Sequence, residues 1–294
     1  MIVAGSNSQG MAAIISRELN EKLVMIERKI FPDGELYVRI SSEPEERAIV
    51  VQSLTPPQDR SLMELFLIVD SLKGLNVNDI IAVIPYLAYA RQDKRFLTGE
   101  PITLKVVLDT LRGLGVSKVL TVDVHNEKQF KKFMGDNGIN ILPTEIIAEY
   151  FKDRLSSNSI VLAPDKGALW RAKSVAEKLG LRYDYIEKKR DRTTGEIEAL
   201  PKELDVSDKD VLIVDDIIST GRTIALAARN LKEKNAKKIY VACTHAVLVE
   251  NALDRIYQNG VLEVVATDTL PSPISKLSIA PLLVRYLKQC LSKI

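Results

Sequence analysis

The stretch VLIVDDIISTGRTI, residues 211–224, decides how this chain is interpreted. Four apolar residues run into the adjacent carboxylates Asp215 and Asp216, and hydroxyl residues and Gly221 follow before a helix-like segment begins near Thr223. A buried strand, a short loop and a helix in this order bring unpaired backbone N–H groups and hydroxyls together, which suits an anion such as phosphate. A glycine lets the loop backbone approach a ligand closely or take a positive φ.

The acidic pair restricts the kind of ligand. Two carboxylates beside a phosphate would repel it unless other groups paired with them, and sugar hydroxyls can donate to carboxylates. A phosphorylated sugar therefore fits both parts of the stretch. The alternative interpretation is an Asx turn at a strand end followed by an ordinary helix cap, which needs no ligand.

The stretch lies in the second of two similar halves. Segments of the first half find counterparts about 160 residues later, and the order is kept as the spacing shortens toward the C-terminus. The matched pairs are 21–37 with 177–198, 71–85 with 230–244, 119–125 with 264–270, and 144–151 with 279–287. We therefore predict two homologous domains, 1–152 and 153–294.

Each half alternates short apolar runs with amphipathic segments, as in IVLAP (160–164), ALWRAKSVAEKLG (168–180) and VLIVDD (211–216). This alternation predicts an α/β fold in which each half is a mainly parallel sheet flanked by helices. In such sheets ligands bind at the carboxyl ends of the strands.

Composition excludes several classes of protein. The chain has 294 residues, 46% of them apolar, and its net charge of +2 gives no nucleic-acid footprint. No stretch reaches the roughly 18 apolar residues that a membrane span needs. The two cysteines, Cys243 and Cys290, lack metal-type spacing and favour a reducing compartment. The N-terminus has no basic region typical of a signal peptide, so we expect a cytoplasmic protein with neither a nucleic-acid nor a membrane partner.

VLIVDDIISTGRT resembles the phosphoribosyl-pyrophosphate fingerprint of type I phosphoribosyltransferases. With the tandem duplication, almost the whole chain is similar to the ribose-phosphate pyrophosphokinases, or phosphoribosyl pyrophosphate synthases. Further landmarks of that family follow in order: FPDGE (31–35), ARQD (90–93), TVDVHNE (121–127), APDKG (163–167) and EKKR (187–190). One departure is visible, because many synthases have an Asp and an Ala-Gly pair where this chain has Ser219 and Gly221-Arg222. Both versions keep hydroxyls and small residues suited to a phosphate.

The resemblance implies transfer of the diphosphoryl group of MgATP to the C1 hydroxyl of ribose 5-phosphate, by a homo-oligomer built of dimers, with Mg²⁺ as cofactor. It implies the following residues for ribose 5-phosphate: Arg190, Asp215, Asp216, Ser219, Thr220, Gly221, Arg222 and Thr223. The first-half counterpart of VLIVDD is AIVVQS (48–53), in which Gln52 and Ser53 replace the carboxylates and two prolines follow. We therefore expect one sugar-phosphate site per chain, in the second half.

The resemblance assigns the nucleotide to the first half. It makes FPDGE an adenine-binding element, with Phe31 stacking on the ring and Asp33, Gly34 and Glu35 around the exocyclic amine. Arg91 and Gln92 would contact the polyphosphate. From the residues alone two plainer interpretations stay open: Asp-Gly is a common hairpin-turn dipeptide, and ARQDKRFLTGEP (90–101) could be a solvated loop.

His125 and Asp165 are the metal-associated residues that the resemblance implies. Mg²⁺ uses one or two protein ligands and keeps waters and phosphate oxygens, so sparse ligation is expected. A lone histidine at a strand end is otherwise commonly structural. His245, within the apolar run CTHAVLV, is expected to pack in the core.

The segment YIEKKRDRTTGEIEAL (185–200) is a basic arm between two strand-like pieces. On charge alone it is a solvated hairpin, whereas beside a polyphosphate it becomes a catalytic flap. The resemblance makes Lys188 and Arg190 the catalytic pair, and Lys189 should face the opposite side of an extended strand. A phosphoribosyltransferase and a non-catalytic regulatory paralogue are the rival hypotheses.

Overall fold

The structure, a computed structural model, describes residues 1–190, 197–202 and 204–291. The first half contains β1 (Ile2–Ala4), α1 (Gln9–Leu19), β2 (Leu23–Met25), β3 (Glu27–Ile30), β4 (Leu36–Arg39), β5 (Arg47–Val51), α2 (Gln58–Gly74), β6 (Asp79–Ile84), α3 (Thr103–Gly113), β7 (Val116–Val122), α4 (Glu127–Met134), β8 (Gly138–Ile141) and α5 (Thr144–Phe151). The second contains β9 (Ile160–Ala163), α6 (Leu169–Leu179), β10 (Arg182–Arg190), β11 (Ile197–Pro201), β12 (Asp210–Ile218), α7 (Arg222–Glu233), β13 (Lys238–Ala246), α8 (Ala252–Gln258), β14 (Glu263–Thr267), β15 (Ser275–Leu277) and α9 (Ala280–Leu291).

The two halves build sheets with the same strand order. The first sheet runs β2-β1-β5-β6-β7-β8, and its strands are parallel. The second runs β10-β9-β12-β13-β14-β15, also parallel, with β11 added as an antiparallel neighbour of β10. The predicted α/β class, with a mainly parallel sheet in each half, is confirmed.

Strand register supports the predicted repeat residue by residue. Val51 pairs with Val83 in the first sheet, and their counterparts Val214 and Ala242 pair in the second. The residues that follow Val51 and Val214 therefore occupy equivalent places, so Gln52 corresponds to Asp215 and Ser53 to Asp216. The comparison that predicted one sugar-phosphate site per chain thus stands on backbone pairing as well as on sequence.

The core of the second unit lies on both faces of its sheet. Side chains alternate along β12: Val211 and Ile213 pack among residues of α7, whereas Leu212 and Val214 pack among residues of α5 and α6. Strands covered on both faces are continuous apolar runs, as this sequence has. Helix α7 shows the matching pattern, because most of its apolar residues are buried and its charged residues lie at exposed positions.

The compact units differ from the division at 152/153. One unit comprises 1–141 together with α9, and the other comprises 142–279. Helix α5 therefore belongs to the second unit, where it packs against α6, and its repeat counterpart α9 belongs to the first unit, where it packs against α1. The sequence shows that both helices have an apolar face, but an apolar face does not specify which helix will cover it.

In the part of the chain that the structure describes, no helix combines the length and the apolar character that crossing a membrane requires.

Candidate functional site

The acidic pair lies within β12 rather than after it. The strand continues two residues beyond Asp216, to Ile218. Backbone N–H groups next along the chain donate to both side chains, Asp216 N to Asp215 Oδ1 at 2.9 Å and Ile217 N to Asp216 Oδ1 at 3.0 Å. These contacts fix both carboxyl groups at the carboxyl end of a central strand, which is where parallel sheets bind ligands.

Among the described residues, Arg171 on α6 forms an ion pair with the acidic pair. Its Nη2 lies 3.4 Å from Asp216 Oδ2, and both side chains are only 8% exposed. The Arg171 guanidinium also stacks over the Trp170 ring, 4.4 Å from its centre. One buried arginine thus partly compensates two carboxyl groups, and a charge at this depth needs such a partner.

The remaining charge affects Asp215. Burial raises the pKa of Asp215 well above its usual range, and the neighbouring Asp216 carboxylate raises it further, while Arg171 opposes the shift. In the free protein the pair therefore resists carrying two negative charges. A hydroxyl donor or a bound cation would relieve that repulsion, which is what the sugar-phosphate hypothesis supplies.

We expect Asp215→Asn to raise the Tm of the free protein by a few degrees at pH 8 and by less at pH 4.5. An acid whose pKa is raised on folding costs stability as the pH rises from its unfolded pKa through its folded pKa, and the cost persists above that window. The asparagine removes that cost and keeps the oxygen that accepts from Asp216 N. Thermal unfolding at both pH values measures the difference.

Asp205→Asn is the matched control for that experiment. Asp205 lies in the same unit, and hydrogen bonds from the Ser207 backbone and the Lys209 side chain lower its pKa. The sign is opposite, because a lowered pKa contributes stability above the unfolded pKa and loses it as the pH falls. A gain in Tm at pH 8 for Asp205→Asn, or a loss for Asp215→Asn, would contradict the expectation.

The hydroxyl loop follows β12. Ser219 and Thr220 are partly exposed, Gly221 takes φ +70° as the residue before α7, and α7 begins at Arg222, one residue earlier than predicted. The first hydrogen bond of the helix runs from Ala225 N to Gly221 O at 2.9 Å. The N–H groups ahead of it have no partner within the helix, as expected at a helix start that could receive an anion.

A neighbouring loop holds the hydroxyl loop in place. Leu248 N donates to Ile218 O at 3.0 Å, and Val249 N donates to Ser219 O at 3.1 Å. The Arg255 guanidinium donates to Thr220 O and, at 3.0 Å, to Glu250 O. The loop geometry is therefore fixed by protein contacts. The exposed Arg222 side chain forms an ion pair with Glu250 at 2.7 Å.

The equivalent place in the first half is filled by side chains of the unit itself. Gln52 is fully buried, accepts from Asn7 N at 3.2 Å and donates to Glu64 Oε1 at 3.0 Å. Ser53 accepts from Tyr86 N at 3.1 Å, and its own N–H donates to Ser8 Oγ at 2.8 Å. These internal hydrogen bonds occupy the place where the second half presents its carboxylates.

FPDGE forms the tip of the β3–β4 hairpin. Phe31 N donates to Glu35 O and Gly34 N donates to Phe31 O, both at 2.8 Å, and Gly34 takes φ +97°. The Phe31 ring is 39% exposed and meets the Tyr37 ring edge to face at 5.9 Å between centres. The motif is thus a hairpin turn that presents an aromatic ring to solvent, and its role in adenine binding stays a prediction.

ARQD lies in an irregular segment between β6 and α3, with Arg91 exposed and Gln92 partly exposed. Thr103 Oγ1, at the start of α3, donates to Tyr89 O at 2.7 Å. The buried Asp93 carboxylate accepts from the Asn126 side chain, and Asn126 caps α4 by accepting from Gln129 N at 3.2 Å. This contact brings the ARQD segment together with the segment that carries His125.

The two residues predicted to associate with a metal ion, His125 and Asp165, belong to different units. His125 is exposed and follows the end of β7 by three residues, so it does not end the strand as the sequence indicated. Asp165 is exposed and follows β9, and its Oδ1 accepts from Ala168 N at 3.1 Å. His245 is 2% exposed, and its Nδ1 lies 2.9 Å from Thr269 Oγ1. The prediction that His245 packs in the core is confirmed.

The basic arm extends from the carboxyl end of the parallel strands, the same end of the sheet at which the acidic pair lies. β10 runs beside β9 up to Tyr185, opposite Ala163, and then continues to Arg190 as a hairpin with β11. The backbone of Lys188 and Arg190 belongs to that extension. Their side chains, and the whole of 191–196, lie outside the residues that the structure describes.

Sequence reasoning missed Arg171 and Arg255. Arg171 shares the buried stripe of α6 with Ala172, Val175 and Ala176. A single arginine on an apolar helix face, a few residues after APDKG, is a signal that could have indicated a buried counter-ion. Arg255 gave no such signal, because it stands in an ordinary amphipathic segment.

Comparisons with known proteins cover both halves. Residues 1–115 match the model for the N-terminal domain of ribose phosphate pyrophosphokinase, and residues 138–270 match the phosphoribosyl transferase domain. The ribose-phosphate pyrophosphokinase of Pyrococcus furiosus is 46% identical over 283 residues, which is 96% of this chain and 98% of that protein. The protein of the same name from Methanothermobacter thermautotrophicus is 41% identical over 288 residues, or 98% of this chain and 100% of that protein.

A solved structure agrees with the sequence matches. The crystal structure of phosphoribosylpyrophosphate synthetase from Mycobacterium smegmatis superposes with a TM-score of 0.89 at 30% identity, covering 100% of this chain and 99% of that one. The likeness thus extends over both sheets and over the segments that carry the acidic pair, the hairpin tip and the basic arm. This chain belongs to the ribose-phosphate pyrophosphokinase family.

Proposed function

We propose that the protein transfers the β,γ-diphosphoryl group of MgATP to the C1 hydroxyl of ribose 5-phosphate, giving phosphoribosyl pyrophosphate and AMP. The observation that carries this proposal is that two equivalent sheets carry different residues at the same position. The second keeps the acidic pair and the hydroxyl loop, whereas the first has Gln52 and Ser53 at the equivalent places, fully engaged in internal hydrogen bonds. Membership of the family supports the same reaction.

In this proposal the sugar phosphate binds at the carboxyl end of β12. Ser219, Thr220, Gly221, Arg222 and Thr223 hold the 5-phosphate with backbone N–H groups, hydroxyls and one guanidinium. Asp216 and Asp215 accept from the ribose hydroxyls. Arg171 compensates the charge of Asp216, so the two carboxylates can accept from hydroxyl donors without destabilising the folded protein.

The nucleotide binds to elements of the first unit. Phe31 stacks on the adenine, and Asp33, Gly34 and Glu35 at the hairpin tip accept from the exocyclic amine. Arg91 and Gln92 contact the polyphosphate, and their segment is fixed by the hydrogen bonds of Thr103 and Asp93. Rigid backing of this kind lowers the entropy cost of holding a flexible chain of phosphates.

The family resemblance assigns Asp165 and His125 to Mg²⁺. Asp165 offers an exposed carboxylate, the hard oxygen ligand that Mg²⁺ prefers, whereas the exposed His125 imidazole is not a ligand of that kind and its assignment rests on the resemblance alone. When bound with ATP, Mg²⁺ would neutralise phosphate charge and help to align the polyphosphate. The protein's own contribution is to orient the C1 hydroxyl for in-line attack on the β-phosphorus. A bond forms between the C1 oxygen and the β-phosphorus as the bond from the β-phosphorus to the α,β-bridging oxygen breaks, AMP leaves with that oxygen, and the hydroxyl proton is released to solvent.

Lys188 and Arg190 would supply positive charge to the transferring group and the leaving AMP. Phosphoryl transfer needs positioning and charge stabilisation rather than covalent catalysis, and cationic donors beside the transferring group supply that stabilisation. This role rests on the family resemblance and on the extension of β10 beyond its pairing with β9, at the end of the sheet where the acidic pair lies.

We also propose a homo-oligomer built of dimers. β2 is the edge strand of its sheet, and its Leu23 and Met25 side chains are 37% and 46% exposed, which a subunit contact would cover. Light scattering of the active protein should give at least twice the mass of one chain. Full activity of a monomer would contradict this.

The reaction is tested by incubating the protein with ATP, ribose 5-phosphate and Mg²⁺ and identifying the products by mass. We expect AMP and phosphoribosyl pyrophosphate in equal amounts, without any added nucleobase. A phosphoribosyltransferase would form neither product under these conditions, and a regulatory paralogue would leave ATP intact. ADP in place of AMP would overturn the proposed reaction.

A further inference from the structure

The hairpin that carries FPDGE is separate from the main sheet. β3 and β4 pair only with each other and form a two-stranded sheet within the described chain. All four residues of β3 are exposed. Because no described strand pairing joins this hairpin to the six-stranded sheet, its orientation depends on its chain connections, on the packing of the half-buried β4 against α2, and on polar side-chain contacts with the rest of its unit.

One of these contacts is a salt bridge between Arg28 and Glu64. Arg28 Nε on β3 lies 2.7 Å from Glu64 Oε2 on α2. The Glu64 side chain is 1% exposed, whereas the Arg28 side chain is 30% exposed. A hydrogen-bonded ion pair with one buried partner is stronger than a pair in open solvent, because water and salt screen it less.

Glu64 is itself held rigidly. Its Oε1 accepts from Ser6 N at 2.7 Å and from Gln52 Nε2 at 3.0 Å. Its Oε2 accepts from Ser6 Oγ at 2.8 Å as well as from Arg28. Four donors therefore satisfy this buried carboxylate, and three of them come from the ends of β1 and β5 in the main sheet.

Gln52, one of the donors to Glu64, is the counterpart of Asp215 in the second half. The place that presents a carboxylate to a ligand in the second half presents an amide to Glu64 in the first. Gly5 makes room for it, since a Cβ at Gly5 would lie 2.2 Å from Gln52 Oε1. The position that corresponds to Asp215 thus helps to hold Glu64, the residue that pairs with Arg28 of the hairpin.

We propose that Arg28 is a positioning residue for the nucleotide: through Glu64 and Gln52 it fixes the hairpin whose tip presents Phe31 to the adenine. The inference rests on the proposed function for the role of the tip, while the mechanical link itself stands on the contacts alone. In the first half, the place equivalent to the sugar site therefore anchors the hairpin of the nucleotide site.

A second ion pair on the same hairpin provides a matched control. Arg39 Nη1 on β4 lies 3.1 Å from Glu27 Oε2 on β3, and both side chains are more than half exposed. It joins the two strands to each other and does not reach α2 or the main sheet. Arg39→Gln therefore removes the same kind of charge from the same hairpin without touching the anchor.

The experiment compares Arg28→Gln, Arg28→Lys and Arg39→Gln with the wild type by steady-state kinetics and amide hydrogen exchange. For Arg28→Gln we expect KM for ATP to rise about tenfold, with kcat and KM for ribose 5-phosphate within about twofold, as the loss of one charge-assisted hydrogen bond predicts. Hairpin amides 27–39 should exchange faster. Arg28→Lys should recover part of both effects, and Arg39→Gln should show neither.

The outcomes separate the two hypotheses. Unchanged hairpin exchange in Arg28→Gln, or an equal change in Arg39→Gln, overturns the anchor. Faster exchange with an unchanged KM for ATP overturns the positioning role. Phe31→Ala tests the proposed function by itself: if it leaves KM for ATP unchanged, the tip does not bind adenine, whatever Arg28 does.

Discussion

Replacing Lys188 with alanine is expected to lower kcat by about 100- to 1,000-fold, the cost of removing one charge-stabilising donor from a transition state. Substrate binding should change much less, because the donor acts mainly on charge that develops during transfer. Single-turnover measurement of AMP formation with saturating ATP and ribose 5-phosphate isolates this step from product release.

Lys189→Ala is the control for Lys188→Ala. Both residues belong to β10, where Lys188 pairs with Ala199 and Lys189 with Glu198, and both substitutions remove one positive charge. The sequence predicts that Lys189 serves the opposite face, so its loss should change kcat less than about threefold, as expected of a charge that does not contact the reacting groups. Equal losses would mean that the arm acts through its overall charge, and an active Lys188→Ala protein would refute the catalytic assignment.

Gly221→Ala is expected to raise KM for ribose 5-phosphate by at least about tenfold and to cost about 1–3 kcal/mol of folding free energy. Gly221 takes φ +70°, and a Cβ there would lie 2.9 Å from Ala252 O and 3.0 Å from Ile256 Cδ1. Relieving this clash requires either the hydroxyl loop or the start of α8 to move. Since Arg255 of α8 donates to Thr220 O, both movements displace the groups that are proposed to bind the 5-phosphate.

Gly180→Ala separates the clash from the backbone strain. Gly180 ends α6 with φ +67°, close to the value at Gly221, but a Cβ there would meet nothing within 4 Å. This control should lose stability through strain alone and keep its KM for ribose 5-phosphate. If Gly221→Ala behaves in the same way as Gly180→Ala, the close approach of α8 does not shape the phosphate loop.

The repeated architecture could be predicted from the sequence because the patterns that specify it are local. Apolar runs such as 211–214 predict buried strands, and the order of matched segments predicts two equivalent sheets. The sequence also predicted that Gln52 and Ser53 had replaced the carboxylates, which strand register supports. It did not predict the end of β12, because the acidic pair looked like the end of a buried strand, whereas the strand continues to Ile218.

Long-range partners could not be predicted. The sequence gives no reason why Arg171, rather than another cation, should reach Asp216, or why Arg28 should meet Glu64, 36 residues away in the chain. Both contacts depend on how helices pack on strands, which single-sequence patterns do not encode. The apolar face of α5 likewise does not specify which helix covers it.

The exchange of α5 and α9 has a consequence for the independence of the two repeats. Each repeat supplies its last helix to the unit that the other repeat begins, where it packs against that repeat's first helix. A chain cut between the repeats would therefore leave each piece without the helix that covers its first helix, so the sequence repeat is not the unit that folds.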